Sequence, residues 1–397
     1  MDYIKVLLIL TIATIIPGQL IRLPIFSLAG AVTATDIFVF LSIISFSVYS
    51  LFFKKSIKFP QKITLPLLFF CIIALASAIL ALEIFSTVEI ITSLYFLVRF
   101  IAYFLVSIVI YNVVSKGEII KWLNVFLIIG SVFIVFGFFQ FIFFPDLTVL
   151  TFYGWDPHQN RLVSTVLDPN FAGGILIFIS AVSVSLFLYF KKFQYLIIFI
   201  ISFAGIILTF SRSSYLAFIT LIIIIGFIKS PKLLIITFLI FLTAFLTIGQ
   251  VKSRLIGALT LDDTALARIK SWQNSLVIFR DNPIIGVGFN TYRLTQARYG
   301  LFTYDDPQGG HSGAGVDSSI LLVAVTTGIL GLFFYLVLIL SIIKLSFHNI
   351  RSNTLNLAFF SSLIGIIIHS QFVNSLFFPQ IMLLIWFFTG LVLKSND

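Results

Sequence analysis

Apolar runs long enough to cross a bilayer follow one another along this chain, and no other feature constrains the fold as strongly. A membrane-spanning helix needs about 20 predominantly apolar residues, and about twelve runs meet that length. They lie near residues 3–20, 33–53, 64–82, 90–113, 119–144, 169–190, 194–210, 212–228, 231–250, 317–343, 355–373 and 376–393. A mean hydropathy of +1.14 with only 10% charged residues excludes a soluble globular protein. The sequence therefore predicts an all-α polytopic membrane protein, with one integral membrane domain over residues 1–397.

Basic residues predict the orientation of these spans. If the N-terminus is inside, the cytoplasmic connections and ends carry Lys5, Lys54, Lys55, Lys58, Lys62, Lys116, Lys121, Lys191, Lys192, Lys229, Lys232, Lys344, Arg351 and Lys394. The acids there are only Asp2, Glu118 and Asp397. The positive-inside rule then places both termini in the cytoplasm. We interpret the lysines as topology signals near anionic headgroups, because they lack the aromatic and glycine pattern of a nucleic-acid surface. The first apolar run has no cleavage site after it, so we expect it to be an uncleaved span.

The long polar interruption from 251 to 316 is the predicted large extracytoplasmic loop, between the ninth and tenth spans. Within it, apolar residues recur at a spacing of three or four, which predicts an amphipathic helix near 264–280 that lies on the membrane. These residues are Leu266, Ile269, Trp272, Leu276 and Phe279. We expect Asp263 or Thr264 to cap this helix and Asn282-Pro283 to end it.

Two arginines are candidates for binding an anion. Arg212 lies in a short turn between two apolar runs, among Ser211, Ser213 and Ser214, where hydroxyls and a helix N-terminus suit an anion. The alternative is an interfacial anchor. Arg268 lies at the edge of the apolar stripe of the predicted loop helix and is either directed into a pocket or part of a solvated helix face.

Two candidate bases follow at the end of the polar interval. Asp317 lies at the start of the tenth span, where it either caps the helix or acts as a base. His311, on a glycine-rich tether, is the second candidate base and otherwise an ordinary loop residue. The four histidines and the scattered acids show no ligand spacing for a metal, so we expect neither a metal site nor a cofactor.

Outside this interval, a third outer loop carries Tyr153 and Trp155, which suit either an interfacial aromatic belt or stacking on sugar rings. Arg99 lies inside a span, where a charge is functional by default, although no acid in the spans is an obvious mate and a structural arginine is the alternative. Cys71, the single cysteine, is expected to face lipid.

Four segments between about 160 and 335 resemble the O-antigen ligase and O-antigen polymerase superfamily of bacterial envelope proteins. They are Asp168-Pro169-Asn170, the Ser211-Arg212 turn, the block from Arg268 to Gly288 with Trp272, Pro283 and Gly286, and Gly328-Ile329-Leu330-Gly331. The family often has a histidine where this chain has Asp317. That departure weakens the resemblance to ligases more than the resemblance to polymerases.

The resemblance implies about twelve spans, a large outer loop and transfer of a glycan from an undecaprenyl diphosphate carrier without a metal or a nucleotide sugar. It implies a place in the bacterial cytoplasmic (inner) membrane with the active site on the outer face. The family's essential arginines correspond to Arg212 and Arg268. The implied partners are the lipid-linked glycan, an acceptor glycan or lipid, and membrane lipids, with a chain-length regulator as a further candidate and no nucleic acid.

Loss of a lipid diphosphate from a sugar leaves negative charge on the departing oxygens, and arginine binds such oxygens bidentately. We therefore expect Arg212 and Arg268 to bind the diphosphate, with Arg293 or Arg161 as helpers. Asp317 is the first candidate base and needs a desolvated pocket, unless it orients the acceptor instead. Asn170, Tyr153 and Trp155 are candidate substrate-binding residues.

The leading hypothesis from the sequence is a polysaccharide polymerase, and a ligase that transfers the glycan to a lipid A core or another acceptor is the alternative. A transporter or flippase for lipid-linked sugars belongs to a different class. It would predict a cationic central cavity and paired broken helices, and the sequence indicates neither.

Overall fold

The computed structural model describes residues 2–24, 31–301 and 315–397. Fifteen α-helices lie in these ranges: α1 Asp2–Ala13, α2 Ala34–Phe52, α3 Gln61–Leu80, α4 Thr87–Val113, α5 Ile119–Phe143, α6 Pro169–Phe190, α7 Phe193–Leu208, α8 Arg212–Lys229, α9 Pro231–Thr247, α10 Gly249–Leu259, α11 Asp263–Asp281, α12 Tyr292–Arg298, α13 Ser319–Phe347, α14 Thr354–His369 and α15 Pro379–Asn396. A two-stranded antiparallel ribbon joins β1 Arg22–Pro24 to β2 Ala31–Thr33, with Leu23 opposite Val32. The fold is thus all-α apart from this ribbon and a few short 3-10 turns.

Seven helical segments in the described part of the chain are long and apolar enough to cross a membrane. The pair α9 and α10 counts as an eighth if the two form one broken span, because the chain bends by 96° between them. Two shorter apolar helices, α7 and α14, add to this set. The chain is therefore a multi-pass membrane protein, and the figure of twelve spans stays a prediction.

Two helices form the centre of the bundle. Every residue of α15 from Pro379 to Leu393 is buried, as are most residues of α6. Around this centre α15 packs against α4, α6 packs against α7 and α14, and α3 packs along α13.

The outer helices expose apolar side chains that water would not favour. Leu51 is 78% exposed, Phe227 79% and Leu246 70%, as expected for side chains that contact lipid. The expectation that Cys71 faces lipid is wrong, because its side chain is buried among the core residues of α3. The thiol is a small core side chain, since the face of α3 that carries it packs inward.

Arg99 has an acidic mate that sequence reasoning did not find. Its Nη2 lies 2.8 Å from Asp36 Oδ2, and the same nitrogen donates to the Ala31 carbonyl and the Tyr95 hydroxyl. The carboxylate also accepts from the Tyr103 hydroxyl at 3.0 Å. Both charged groups are buried, so each depends on the other for its solvation. Asp36 was not recognised as the partner of Arg99 because it lies in the first turn of α2, at the start of an apolar run.

Helix α13 is broken at Gly328, and the break is filled by backbone from the polar loop. In a regular helix the N–H of Ile329 would donate to the carbonyl of Val325. Here the Ile329 N–H donates to the Pro283 carbonyl at 2.8 Å, and the Val325 carbonyl accepts from the Val287 N–H at 3.0 Å. The segment 283–287 therefore enters the break and satisfies both of the backbone groups that it frees.

Two glycines make this insertion possible. Gly328 has φ +64° and ψ −168°, a conformation that is essentially restricted to glycine. Gly286 has φ +78°, and a Cβ there would meet the backbone of Thr326 and Thr327, while a Cβ on Gly328 would meet the backbone of Ile284. Nearby, the hydroxyl of Ser77 on α3 donates to the Thr326 carbonyl at 2.7 Å. Broken backbone at membrane depth is tolerated where protein groups satisfy it in this way.

We expect Gly328→Ala to destabilise the protein by about 1–3 kcal/mol from backbone strain alone, and by more from the clash with Ile284. Thermal unfolding of the detergent-purified protein measures this loss. Gly249→Ala is the matched control, because a Cβ there meets nothing within 4 Å. Equal melting temperatures for the two variants would show that the break does not depend on glycine.

Candidate functional site

The turn between α7 and α8 holds Arg212 at the first position of α8. Ser211 caps this helix, because its hydroxyl oxygen accepts from the N–H of Ser214. The same hydroxyl donates to Asn170 Oδ1 at 2.7 Å, which ties the start of α8 to the start of α6. Asn170, predicted to bind substrate, therefore positions the turn that carries Arg212.

Arg161 supports the same turn from the other side. Its Nε donates to the Thr209 carbonyl at 2.9 Å, and its Nη2 donates to the Phe210 carbonyl at 3.3 Å. These carbonyls follow the end of α7, where helical partners are missing. Burial lowers the pKa of Arg161 to about 10, so it remains charged at neutral pH. The predicted diphosphate helper is thus bound to backbone and holds the Arg212 turn in place.

The guanidinium of Arg212 is engaged by the loop before α11. Nη1 lies 3.0 Å from Asp262 Oδ1, Nη2 contacts the second carboxylate oxygen, and Nε donates to the Arg254 carbonyl at 2.7 Å. This two-point pairing favours the carboxylate strongly and holds the Asp262 pKa well below its usual range. The Arg212 side chain is 12% exposed and that of Asp262 is 34% exposed. Arg212 is therefore part of a charged network and not an isolated interfacial anchor.

Helix α11 begins one or two residues earlier than the predicted caps would place it. Its N-cap is Asp262, whose side chain accepts from the Ala265 N–H, so the prediction of Asp263 or Thr264 as the cap is wrong. One carboxylate thus caps α11 and pairs with Arg212. Gly257 of α10 lies against this pair, and a Cβ there would come within 2.9 Å of Arg212 Nη2.

Asp317 is not the N-cap of α13. That position is Ser318, whose hydroxyl oxygen accepts from the Leu321 N–H. The backbone of Asp317 is instead held by α11, because its N–H donates to Ser271 Oγ at 3.2 Å and its carbonyl accepts from Trp272 Nε1 at 3.1 Å. Because Ser318 caps α13 and backbone contacts hold Asp317 in place, the Asp317 carboxylate has no capping role.

Asp317 and Arg268 interact electrostatically inside this site. Burial raises the pKa of Asp317 to about 6, and the nearby Arg268 opposes the rise. Burial lowers the pKa of Arg268, while Asp317 raises it and Arg212 lowers it. Among the described residues, neither the Arg268 guanidinium nor the Asp317 carboxylate has a hydrogen-bond partner. Arg268 is thus close enough to both Arg212 and Asp317, which are far from it in sequence, for their charges to act on its own.

Helix N-termini meet around these charges. Asp168 caps α6 by accepting from the N–H groups of Asn170 and Phe171 at 2.7 and 3.0 Å. Ser211 and Ser318 cap α8 and α13, and the Ser319 N–H donates to the Ser370 carbonyl at the end of α14. The N-termini of α8 and α13 carry partial positive charges that add to the arginines in favouring an anion, whereas the Asp168 carboxylate already offsets that of α6.

The remaining predicted residues have different positions. Tyr153 is 76% exposed at the end of a 3-10 turn. Trp155 lies under the guanidinium of Arg22, with 5.0 Å between that group and the ring centroid. Arg293 lies on α12, which packs against α13. His311, the second candidate base, lies outside the described residues.

One group in the described part of the chain could hold a metal ion. Ligand atoms of Asp156, His158 and Asp168 lie within 4.8 Å of one another, a grouping that residue spacing did not indicate. His158 Nε2 lies 3.5 Å from Asp168 Oδ2. Two carboxylates and an imidazole suit zinc or manganese. Arg161, which also acts on the charge of Asp168, opposes a cation at this place.

Sequence reasoning missed two residues of this site. Asp262 was noted only as one of several acids, and its pairing with Arg212 across fifty positions has no local signal. His369, at the end of α14, is fully buried with Nε2 3.4 Å from Ser214 Oγ and Nδ1 3.1 Å from Ser375 Oγ. A histidine at the end of an apolar helix indicates little until the fold places it beside the Arg212 turn.

Comparison with known proteins bears on the same region. Residues 197–336 match the family described as O-Antigen ligase. No curated protein matches the chain. The matched segment contains Arg212, Arg268, Asp317 and the Gly328 break, and it confirms the resemblance that the sequence motifs carried. Residues 197–336, about a third of the chain, thus form an O-antigen ligase region, and over this segment the chain is similar to the O-antigen ligase and O-antigen polymerase superfamily.

Proposed function

We propose that this protein polymerises a surface polysaccharide from an undecaprenyl-diphosphate-linked oligosaccharide at the outer face of the bacterial cytoplasmic membrane. Its family implies a glycosyltransferase-type enzyme. The alternative within this class is transfer of the glycan to a lipid A core or another acceptor, and the family description favours that alternative. The departure from the family's histidine at Asp317 favours the polymerase.

The observation that carries the proposal is the grouping of Arg212 at the start of α8, Arg268 within α11 and Asp317 just before α13. Arg212 presents a planar guanidinium already in two-point contact with a carboxylate. A diphosphate offers the same oxygen geometry with more charge, so it can replace Asp262 as the partner of Arg212. Because Asp262 is one-third exposed, this exchange leaves the displaced carboxylate in water. Fixed guanidinium groups then stabilise the departing diphosphate without a metal.

Asp317 is the proposed base for the acceptor hydroxyl. A carboxylate of ordinary pKa is a weak base, and burial moves the pKa of Asp317 to about 6, closer to the pH at which it must work. As the lipid diphosphate leaves the anomeric carbon, the acceptor oxygen bonds to that carbon and its proton passes to Asp317. The diphosphate keeps the bonding electron pair, so the reaction balances without an oxidant or a cofactor.

We expect the purified protein to convert an undecaprenyl diphosphate oligosaccharide into a ladder of longer products on a gel, because each product is also an acceptor. The ladder should persist in the presence of a chelator, since arginines replace a metal in this proposal. A single added step onto a supplied acceptor would instead establish a ligase. Movement of intact lipid-linked sugar across vesicles without new glycosidic bonds would establish a transporter.

We expect Arg268→Lys to lower kcat on the order of 10²- to 10³-fold, because lysine cannot supply a planar two-point contact to the diphosphate. Arg280→Lys is the matched control on the same helix, where the side chain is exposed. Steady-state rates with the lipid-linked substrate measure both. Equal rates for the two variants would remove Arg268 from the diphosphate site.

We expect kcat/KM, which reports the free enzyme, to rise about tenfold per pH unit below pH 6 and to level off above it. The sign follows from the raised pKa, because Asp317 is protonated below about 6 and cannot accept a proton there.

Asp317→Asn should abolish polymer while substrate accumulates, and Asp317→His should keep activity by supplying the residue type that is frequent in the family. A wild-type rate that is independent of pH between 5 and 7 would contradict this role.

A further inference from the structure

A cavity of about 100 Å³ lies beside the broken part of α13, outside the cluster of Arg212, Arg268 and Asp317. Its walls come from α4, α13, α15, the inserted loop and the turn before α15. Phe96, Phe289 and Phe377 supply aromatic surface, and Arg99, Asn290 and Asn374 supply polar groups. A small cavity with apolar walls and a few converging polar groups is typical of a ligand subsite.

The charge of this cavity is already balanced. Arg99 is paired with Asp36, so an anion entering the cavity would face a neutral pair. Arg99 is only 6% exposed, and its Nε is buried without a hydrogen-bond partner among the described residues. A buried donor without a partner costs about 1–3 kcal/mol. The cavity therefore suits an uncharged group that accepts a hydrogen bond.

Other polar groups support an uncharged ligand. Asn374 Oδ1 accepts from Ser319 Oγ at 3.1 Å, which leaves its NH₂ group as the part that can serve a ligand. Asn290 holds a left-handed backbone with φ +56° at the end of the inserted loop. The Asn374 NH₂ group and Arg99, which both line the cavity, suit an amide or ester carbonyl, and the aromatic walls suit a methyl group attached to that carbonyl.

The volume limits the ligand further. A cavity of roughly 150 Å³ admits benzene, which has six heavy atoms. A cavity of about 100 Å³ is too small for a sugar ring but holds an acetamido substituent of four heavy atoms. The cavity also lies near the start of α13, which follows Asp317, because Leu322 and Val323 line it three and four residues after Ser319, about 4–6 Å along the helix axis.

We infer that this cavity binds the acylamino substituent of the sugar that presents the acceptor hydroxyl to Asp317. The inference rests on the proposed function, and it adds the substrate class: an N-acylated amino sugar at the acceptor end. Arg99 and Asn374 donate to the acyl carbonyl, and the phenylalanines contact its methyl group. Arg99 thus has a role in specificity, while the negative charge of Asp36 balances the positive charge of Arg99.

The test measures binding and turnover separately. Saturation-transfer NMR on the purified protein uses the methyl glycoside of an N-acetylated hexosamine, with the glycoside of the matching hexose as comparison. We expect transfer to the acetyl methyl protons and only weak transfer to the hexose. Val323→Leu, which fills part of the cavity, should abolish the acetyl signal, and Val337→Leu, the same change lower on α13, should preserve it.

Turnover is compared with two lipid-linked oligosaccharides that differ only in this substituent on the acceptor sugar. We expect kcat/KM to be on the order of 10- to 100-fold higher for the N-acetylated one, and Val323→Leu to remove the difference. Turnover without discrimination, or an acetyl signal unchanged by Val323→Leu, overturns the inference while the proposed function stands. An acetyl signal specific to the cavity without any glycosidic product overturns the proposed function instead. Absence of both signal and discrimination overturns the inference.

Discussion

The need to satisfy every backbone N–H and carbonyl in an apolar environment controls this structure. Most of the chain meets that need with continuous helices. At Gly328 the chain meets it differently, because the groups freed by the broken helix bond to a loop that returns from 283–287. Protein backbone thus replaces the missing helical bonds, and the loop is fixed to α13 at two points.

This fixed loop links the parts of the site. Helix α11 precedes the inserted segment and carries Arg268, Ser271 and Trp272. The last two hold the backbone of Asp317, at the start of the helix that receives the insertion. The residues that follow the insertion, Phe289 and Asn290, line the cavity beside the break. The backbone hydrogen bonds of the insertion therefore position the candidate base, an arginine and a wall of the cavity together.

Much of this organisation could be predicted from the sequence, and the reasons for the exceptions are physical. Long apolar runs predict membrane helices because lipid leaves few alternatives. Arg212 stood out as a charge in a short turn between two apolar runs, and Arg268 and Asp317 through the resemblance of their segments to the superfamily. Their partners did not, since Asp262 and Asp36 lie in loops or first turns where acids are ordinary caps. The break at Gly328 was also not predicted. A glycine in an apolar run does not indicate that a distant loop, 283–287, inserts into the helix.

The two arginine–aspartate pairs differ in a way that suits different tasks. Arg99 and Asp36 are both buried, so separating them would leave charges without water, and the pair is a permanent neutral unit. Asp262 is one-third exposed, so Arg212 can change partner while Asp262 is solvated. In the proposed reaction an arriving diphosphate adds negative charge near Asp317, and like charges raise the pKa of a carboxylate. Asp317 would thus become a stronger base while substrate is bound, and departure of the diphosphate would lower its pKa again and release the proton.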